Sequence, residues 1–478
     1  MQMPILFKTI NIDQISKRIA YFLLIISVVF FVILSFISEG SWGGADSFVH
    51  YRISRYAFNY PSLFLDLWGK PLFTILSSPF AQFGFNGIKL FNVCVAGLTA
   101  WFALLITEHL RCRNGYLTIA ACLFAPVYFI LIPSGMTEPL FGLVLVLAIF
   151  LFFKEKYTWS AIVISFLPFA RNEGIVILPS FFMAYLLKRS YRSIPFMATA
   201  FLFFSFIGWS HFGNFFWIFK NNPYTGAAAI YGHGKLFHFV ENYQEILGKP
   251  LTVAFLSGLI AIAFGYGNNK INDNRQYIIV LIVLPALTYF AAHSFVWWKG
   301  IGGSLGLTRV MAGIIPLVAI ISVSFFSGKI WHFYLGIVLT IAIIVTPFVQ
   351  YNLPFRLDAT QKLTKQASQW IRENKLDNRL IYYYDPMVCH FLNKDPFNNN
   401  IVREHIPNRE HPENSVPKGS LVVWDAHFGP NEGQMPIDRL LQNEEFVLLK
   451  KIEPDQPFKV LNDYSYEIYI FEKVTDIK

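Results

Sequence analysis

The sequence predicts an α-helical membrane protein with about eleven transmembrane helices, followed by a small soluble α/β domain. Of its 478 residues, 54% are hydrophobic and only 14% are charged, and a soluble protein of this length has no interior for so much apolar surface. Aromatic residues make up 18%, including 50 Phe, which suits lipid-facing helices and interfacial belts. Apolar runs of roughly the length needed to cross a bilayer recur along the first 350 residues.

The charge distribution indicates membrane lipids as partners and argues against nucleic acid. The formal net charge is +9, but basic residues in a membrane protein mark cytoplasmic loops and contact anionic lipid, and no nucleic-acid-binding motif is present. The first apolar run, Ala20–Ile37, follows Lys17 and Arg18 and is not followed by a small-x-small cleavage site. We interpret it as a retained first span with the N-terminus in the cytoplasm.

Eleven apolar segments are predicted to cross the membrane. They are 20–38, 87–108, 115–133, 137–153, 157–170, 174–187, 194–212, 250–266, 277–294, 307–326 and 330–348. The segment 71–84 is short and broken by proline, so we interpret it as re-entrant or interfacial. The stretch 157–187 is interpreted as a hairpin rather than one helix, because a hairpin keeps the basic residues on both sides of it in the cytoplasm. Its short legs place the tip, 171–174, in a water-filled cavity.

The chain changes character near residue 355. We therefore expect a transmembrane domain over residues 1–350 and an α/β domain over 355–478, which an odd number of crossings places outside the cytoplasm. Residues 361–373 have an amphipathic helical pattern, and 393–418 is predicted to be loop. Further predicted elements are the strands Leu380–Tyr384, Leu421–Trp424, Phe446–Lys450 and Tyr466–Phe471 and the helix Ile437–Asn443.

Two acids are placed near the membrane surface on the outer side. Asp46 lies in the first outer loop, within GGADSFVHYR, where a carboxylate can act as a general base or bind a metal. The alternatives are a solvated loop acid or a helix N-cap. His50 follows one helical turn later, and its side chain either belongs to the same site as Asp46 or only packs against neighbouring residues. Glu138 begins a span, where an acid can simply complement the helix dipole. We still count it as a site candidate because it lies on the same outer face as Asp46.

Two charged residues occupy the tip of the predicted hairpin. Arg171 and Glu173 are separated by one residue there, and ionisable groups at membrane depth usually face a cavity or each other. An internal ion pair is one interpretation. The other is that Arg171 holds a phosphate through paired hydrogen bonds, for which a guanidinium group is well shaped.

Four more cationic or titratable residues are candidates for substrate binding, three of them near the late spans. Arg309 enters a span from outside, where it either snorkels or, with Lys299, clamps a lipid phosphate. His293 belongs to the same outer-face set. The long outer loop 213–249 is rich in glycine and aromatic residues and contains His233. Such a loop over a cavity suits a sugar or peptide ligand.

Three stretches together resemble a known family. They are GGADSFVHY after the first span, the pair TEPLFGL and FARNEGIVILP, and GLTRVMAGIIP in a late span. Their order, spacing and shared side are similar to the GT-C superfamily of membrane glycosyltransferases, in its mannosyltransferase-like branch. These enzymes use polyprenyl-phosphate-linked sugars. The chain lacks a P-loop, a Rossmann glycine pattern and a nucleophile elbow, so nothing indicates use of a nucleotide.

The resemblance implies transfer of a mannose-like hexose from a polyprenyl phosphate to a hydroxyl of a lipid, glycan or protein acceptor, at the outer face of a bacterial inner membrane. By this resemblance Asp46 is the catalytic base, Glu138 is a second acid, and Arg171 and Arg309 are donor-phosphate ligands. No soluble cofactor is needed. A divalent metal held by Asp46 and Glu138 stays an open alternative. Unlike protein O-mannosyltransferases, the chain has no second acid directly after Asp46, and it lacks a WWDYG-type signature.

Two other functions compete with this one. A flippase or transporter of lipid-linked sugar also carries charges within the membrane, but it usually shows repeated halves and polar groups at the midplane. The sequence has no visible repeat, and its charges gather at one face. A ligase that joins a preformed glycan would share the fold, and the sequence barely separates it from a transferase of single sugars.

Overall fold

The computed structural model describes residues 12–221, 223, 228–327 and 331–476. The first half is helical. Its helices are α1 Ile12–Ile37, α2 Ala45–Tyr56, α3 Pro71–Ala81, α4 Phe85–His109, α5 Gly115–Leu123, α6 Pro126–Leu131, α7 Glu138–Phe153, α8 Tyr157–Ser165, α9 Leu167–Ala170, α10 Leu178–Leu187 and α11 Thr199–Phe212, with 3₁₀ turns at Pro61–Leu65, Asn172–Val176 and Tyr191–Ala198.

The second half contains the remaining helices and all of the described strands. The helices are α12 Trp217–Lys220, α13 Ala228–Tyr231, α14 His238–Glu241, α15 Tyr243–Ile246, α16 Gly248–Phe264, α17 Asn269–Asp273, α18 Arg275–Ile278, α19 Leu284–Lys299, α20 Ile315–Ser324, α21 Trp331–Gln350, α22 Ala359–Glu373, α23 Met387–Leu392 and α24 Asp438–Leu441. A π-helical turn, Ile279–Val283, joins α18 to α19, and 3₁₀ turns lie at Thr308–Ile314, Phe325–Ser327, Pro412–Asn414 and Leu461–Asp463.

Five helices in the described part of the chain are long and apolar enough to cross a membrane. They are Asp13–Ile37, Phe85–His109, Tyr191–Phe212, Arg275–Lys299 and Trp331–Gln350. The other predicted spans are shorter or broken helices. The predicted span 115–133, for example, divides into α5 and α6 at Pro126, because proline has no N–H to continue the helical ladder. The sequence thus predicts where these helices lie better than how continuous they are.

The interpretation of 157–187 as a hairpin is confirmed. The chain leaves helical geometry after α9, since Arg171 is extended, with φ −159° and ψ 135°. It resumes at α10, and Tyr185 there donates a hydrogen bond of 2.8 Å to Ser160 Oγ in α8. In one straight helix these two residues would lie about 37 Å apart. The two legs therefore lie side by side, and Arg171 and Glu173 sit at the turn between them.

The C-terminal part contains a five-stranded sheet. Its strands are β1 Ile381–Tyr383, β2 Val402–Glu404, β3 Leu421–Asp425, β4 Phe446–Ile452 and β5 Ile468–Lys473, in the order β2-β1-β3-β5-β4. β1 is parallel to β2 and to β3, whereas β5 is antiparallel to β3 and β4. The predicted strands and the amphipathic helix are present with shifted ends. The prediction of loop for 393–418 is wrong at β2, whose length of 3 residues is too short to show a pattern.

Two buried acids lie at the carboxyl ends of the neighbouring parallel strands β1 and β3. Asp385 accepts hydrogen bonds from Thr364 Oγ1 (2.7 Å) and the Met387 N–H (2.8 Å). Asp425 Oδ1 accepts from the N–H groups of His427 (2.9 Å) and Phe428 (2.8 Å). Burial raises the pKa of Asp385 to about 6 and raises that of Asp425 further, with Asp385 as the next cause.

We expect Asp425→Asn to stabilise the sheet at pH 7.5 and to have no effect at pH 4. Both acids have raised pKa values when folded, so their contribution to stability is complete below about pH 4 and is lost as the pH rises through their folded pKa values, which is about 6 for Asp385. Asparagine keeps the two backbone hydrogen bonds but carries no charge. Hydrogen exchange of β1 and β3 in the full-length protein, corrected for intrinsic rates, should slow about tenfold at pH 7.5.

The exposed acid Asp438 provides the control for this experiment. Asp438→Asn should leave exchange in β1 and β3 unchanged at both pH values, because its carboxylate is already solvated. Faster exchange in Asp425→Asn at pH 7.5 than in the parent would contradict the account that burial of a charged Asp425 destabilises the sheet.

Candidate active site

A two-glycine turn places Asp46 in the first turn of α2. Gly43 and Gly44 have φ values of 93° and 53°, a region that favours glycine. A Cβ on Gly43 would also lie 2.4 Å from Met136 Sδ. The N-cap position is Gly44, without a side-chain cap, so the alternative of Asp46 as an N-cap is wrong. Its carboxylate is instead directed to another part of the chain.

Asp46 forms an ion pair with Arg309. The Arg309 guanidinium donates from Nη2 to Asp46 Oδ2, and its Nη1 donates to the Gly43 carbonyl at 3.3 Å. The Asp46 side chain keeps 38% of its exposure, whereas that of Arg309 keeps 19%. Arg309 therefore holds the base candidate in place while leaving part of its carboxylate accessible.

Glu138 lies between two guanidinium groups. Its side chain is completely buried, with Oε1 at 2.7 Å from Arg171 Nη1 and at 3.7 Å from Arg309 Nε. Arg171 Nη1 also donates to Thr137 Oγ1 at 3.0 Å. Asn92 donates to the carbonyls of Ser134 and Met136 and so fixes the turn before Glu138. The two positive charges beside Glu138 offset the cost of burying its carboxylate.

The charges continue through the hairpin tip as one alternating row. Arg171 Nε contacts Glu173 Oε1 at 2.6 Å. The same oxygen accepts from Tyr289 Oη at 3.3 Å and lies 4.0 Å from His293 Nε2. We call the connected set the acid–arginine row; its charged members are Asp46, Arg309, Glu138, Arg171 and Glu173. The internal Arg171–Glu173 pair is present, but it is only one link of the row.

His50 lies beside this row as a buried neutral base. Its ring stacks on Trp68 with centroids 4.6 Å apart. Burial lowers the pKa of the imidazole well below its usual value, and the cations Lys70, Arg171 and Arg309 lower it further. Nδ1 is buried and has no hydrogen-bond partner among the described residues.

The structure does not bring Lys299 and His233 to the row. Lys299 Nζ lies over the Trp298 ring, 3.7 Å from its centroid. His233 packs next to Gly300, where an added Cβ would lie 3.2 Å from the His233 Cβ. Gly300 ends α19 in the left-handed conformation, with φ 63°, and turns the chain away. The prediction that Lys299 and His233 join the other candidates is therefore not supported by any contact among the described residues.

A cavity of about 650 Å³ opens beside Arg309. Part of its wall is apolar, from Ile130, Leu131 and Leu307, and Trp42 and Tyr351 pack edge to face at 5.7 Å. The polar part includes Arg309, Arg356 and Glu245. Sequence reasoning missed Tyr351 and Arg356, which follow the last span without a distinctive motif. The cavity thus combines two arginines and the two acids Glu245 and Asp358 with an apolar wall.

The arrangement does not fit a metal ion between Asp46 and Glu138. The Arg309 guanidinium contacts both carboxylates and occupies the position between them. Among the described residues, no group of at least three His, Cys, Asp or Glu side chains has the geometry to hold a metal. The open alternative of a metal held by these two acids is therefore not supported.

The C-terminal part holds α2 through Arg52. Arg52 Nη2 contacts both Glu404 oxygens, at 3.0 and 3.2 Å, and Nη1 donates to Tyr383 Oη at 3.1 Å. On the same helix Phe48 packs on His390, with ring centroids 4.6 Å apart. Because α2 also carries Asp46, the position of the base candidate depends on the sheet.

We expect Arg52→Ala to make hydrogen exchange of α2 about tenfold faster, because this helix loses two hydrogen bonds to a carboxylate and one to a phenol. The measurement is hydrogen exchange of the full-length protein. Arg55→Ala is the matched control, since Arg55 on the same helix bonds to Gln82. Equal exchange of α2 in Arg52→Ala and Arg55→Ala would show that the sheet does not position α2.

No protein-family model matches the sequence, and no curated protein matches it. Among solved structures, the chain is similar to ArnT from Cupriavidus metallidurans in the apo state, with a TM-score of 0.57 at 10% sequence identity. The similarity covers 94% of this chain and 97% of that one. ArnT is a GT-C glycosyltransferase. The chain therefore has an ArnT-like, GT-C-type fold over 94% of its length.

Proposed function

We propose that the protein transfers a sugar, a mannose-like hexose, from a polyprenyl-phosphate donor to an acceptor hydroxyl at the extracytoplasmic face of a bacterial inner membrane. The observation that carries this proposal is the contact between Asp46 and Arg309 at the wall of a partly apolar cavity. In this reading residues 1–350 form the catalytic transmembrane domain, the N-terminus is cytoplasmic and residues 355–478 are extracytoplasmic.

The donor phosphate fits the cavity end at Arg309. A guanidinium binds phosphate through a planar fork of donors, and the apolar wall formed by Ile130, Leu131 and Leu307 receives the first isoprene units. Arg356 lies on the same cavity, whose lining also contains the acids Glu245 and Asp358. Glu138 is buried and contacts both Arg309 and Arg171, so Glu138 and Arg171 serve as positioning residues. Glu173 and His293 continue the row on the far side of Arg171.

The reaction follows from this placement. Asp46 accepts the proton of the acceptor hydroxyl, whose oxygen attacks the anomeric carbon of the donor sugar. The bond from that carbon to the phosphate oxygen breaks, and the electron pair leaves with the phosphate. Arg309 stabilises the developing charge. Because Asp46 and the phosphate compete for Arg309, donor binding releases the carboxylate from its ion pair and makes it available as a base.

The sugar is proposed from the resemblance to the mannosyltransferase-like branch. The structural neighbour ArnT is an undecaprenyl-phosphate-aminoarabinose transferase, so the aminated pentose is the first alternative donor to compare. The acceptor is a lipid, glycan or protein hydroxyl that reaches Asp46 from the aqueous side.

The test uses full-length protein in nanodiscs with labelled polyprenyl-phosphate-mannose, -glucose or -aminoarabinose and a cell-envelope extract. The expected result is label in a new glycosidic bond together with free polyprenyl phosphate. In proteoliposomes, movement of the labelled lipid across the bilayer without a new bond would contradict the proposal and support a flippase. Transfer of a preformed glycan in place of single sugars would support a ligase.

A further inference from the structure

We infer that Gln361, in the first turn of α22, is a positioning residue that holds the turn before Asp46 and so sets the carboxylate against Arg309. This role rests on the proposed function, in which Asp46 is the base, and it gives the C-terminal part of the chain a place in that reaction. Three features of the structure support it: the two bonds of the Gln361 side-chain amide, the other groups that bind the same turn, and the cavity that they share.

The side chain of Gln361 joins two segments that are far apart in sequence. It is completely buried, and its Nε2 donates a hydrogen bond of 3.0 Å to the Ser41 carbonyl, across 320 residues. Its Oε1 accepts from the Asp358 N–H at 3.3 Å, and the Asp358 carboxylate accepts from the Gln361 N–H at 2.8 Å, which completes a capping box at the start of α22. The amide group is therefore used at both ends, once within its own helix and once on the segment before Asp46.

The three consecutive carbonyls of residues 41–43 are each bound by a side chain from a different part of the fold. In the order of the carbonyls, the donors are Gln361 Nε2 of α22 at 3.0 Å, Ser47 Oγ of α2 at 2.6 Å and Arg309 Nη1 at 3.3 Å. The third carbonyl, that of Gly43, also accepts from the Asp46 N–H at 3.1 Å. The turn is thus tied to α22, to α2 and to the guanidinium that pairs with Asp46, and loss of the first tie frees the end at which the chain enters the turn.

The residues just before this turn are held against the same C-terminal stretch. The Gly40 N–H donates to the Phe355 carbonyl at 3.0 Å, and the Phe355 N–H donates to Ser38 Oγ at 3.1 Å. Gly40 has no room for a side chain, because an added Cβ would overlap the carbonyl of the residue after Phe355. The segment 38–41 therefore packs directly against 355–361, and a shift of either one displaces the other.

The contact lies in the wall of the proposed donor cavity. Residues 41–44, Gln361 and Arg309 all line this space of about 650 Å³. Asp46 lies in the first turn of α2, directly after the glycine turn, and its carboxylate pairs with Arg309. A general base must lie within hydrogen-bond reach of the proton that it accepts, and a misplacement of about 1 Å can lower a rate about 10²-fold. A contact that fixes the turn therefore acts on the rate through the position of Asp46.

The experiment compares Gln361→Met with the parent as full-length protein in nanodiscs. Methionine nearly keeps the volume of the side chain but has no group that donates to the Ser41 carbonyl. We expect the Asp46 amide and its neighbours in the first two turns of α2 to exchange about tenfold faster, the effect of one buried hydrogen bond. Single-turnover transfer from the labelled donor should fall about tenfold or more. The affinity for undecaprenyl phosphate should stay nearly unchanged, because Arg309 keeps its place beside Glu138, 3.7 Å away.

A second variant, Gln361→Glu, separates the helix cap from the contact with Ser41. Glutamate accepts from the Asp358 N–H as glutamine does and is a usual member of a capping box, but its carboxylate does not donate to a carbonyl. It should show the same faster exchange and slower transfer, and it provides the test if Gln361→Met does not fold. Lys365→Ala is the matched control on the same helix. It removes an ion pair with Glu39 whose two side chains are 45% and 61% exposed, and it should behave like the parent.

Several results would overturn the inference and leave the proposed function standing. Parental exchange of α2 in both Gln361 variants would show that the contact does not hold the turn, and faster exchange with parental transfer would show that the turn does not position Asp46. Parental transfer by Gln361→Glu alone would assign the effect to the helix cap. A parallel loss of undecaprenyl phosphate binding would assign Gln361 to the shape of the cavity. If the parent itself transfers no sugar, the proposed function fails and the positioning role fails with it.

Discussion

Asp46→Asn is expected to lower the rate of sugar transfer by about 10²- to 10⁴-fold, the usual contribution of a general base. The amide has nearly the same shape as the carboxylate but cannot accept the proton of the attacking hydroxyl. Binding of polyprenyl phosphate should be unchanged or tighter, because Arg309 loses the carboxylate that competes with the phosphate. The measurements are single-turnover transfer from the labelled donor and the affinity for undecaprenyl phosphate.

The control for Asp46→Asn is Asp273→Asn, which removes an exposed acid on the short helix α17 and should transfer like the parent. Transfer by Asp46→Asn at the parental rate would show that another group removes the proton. Loss of transfer together with loss of lipid-phosphate binding would instead assign Asp46 a structural role.

Arg309→Ala is expected to lower both transfer and the affinity for undecaprenyl phosphate, with a loss in rate of about 10²- to 10³-fold. The variant removes the guanidinium that faces the donor cavity and leaves Asp46 and the buried Glu138 without their shared partner. Arg309→Lys should recover only part of the activity, because an ammonium group lacks the planar fork that can contact a phosphate and Glu138 at once.

Arg192→Ala serves as the control for a lost surface arginine, since Arg192 is exposed in the turn before α11. Unfolding of Arg309→Ala in the absence of ligand is checked by thermal denaturation, and Arg309→Lys provides a folded variant for the binding assay. Full affinity of Arg309→Lys and Arg309→Ala for undecaprenyl phosphate would remove Arg309 from the donor site.

Much of the acid–arginine row could be predicted from the sequence. Charges are rare in the apolar first part of the chain, so Asp46, Glu138, Arg171 and Arg309 stand out, and the distribution of basic loops assigns them to one side. The structure brings these residues into contact with one another. The hairpin at 157–187 could also be predicted from the basic loops, because a single helix there would have placed the two flanking basic clusters on opposite sides of the membrane.

Contacts between distant segments could not be predicted in this way. Arg52 and Glu404 are 352 residues apart, and nothing local in either segment marks the other as its partner. Tyr289 lies in an apolar run and has no charge to distinguish it. Lys299 is predicted on the same side as Arg309, but it is the last residue of α19, and the point at which a helix ends sets the direction of that side chain.

The measurement that tests the account most directly is an experimental structure of the full-length protein with undecaprenyl phosphate in a nanodisc. The account predicts the phosphate against the Arg309 guanidinium in the cavity lined by Trp42 and Tyr351, with the Asp46 carboxylate released from its ion pair and turned toward the acceptor side. A phosphate bound elsewhere, with the Asp46–Arg309 pair intact, would contradict it.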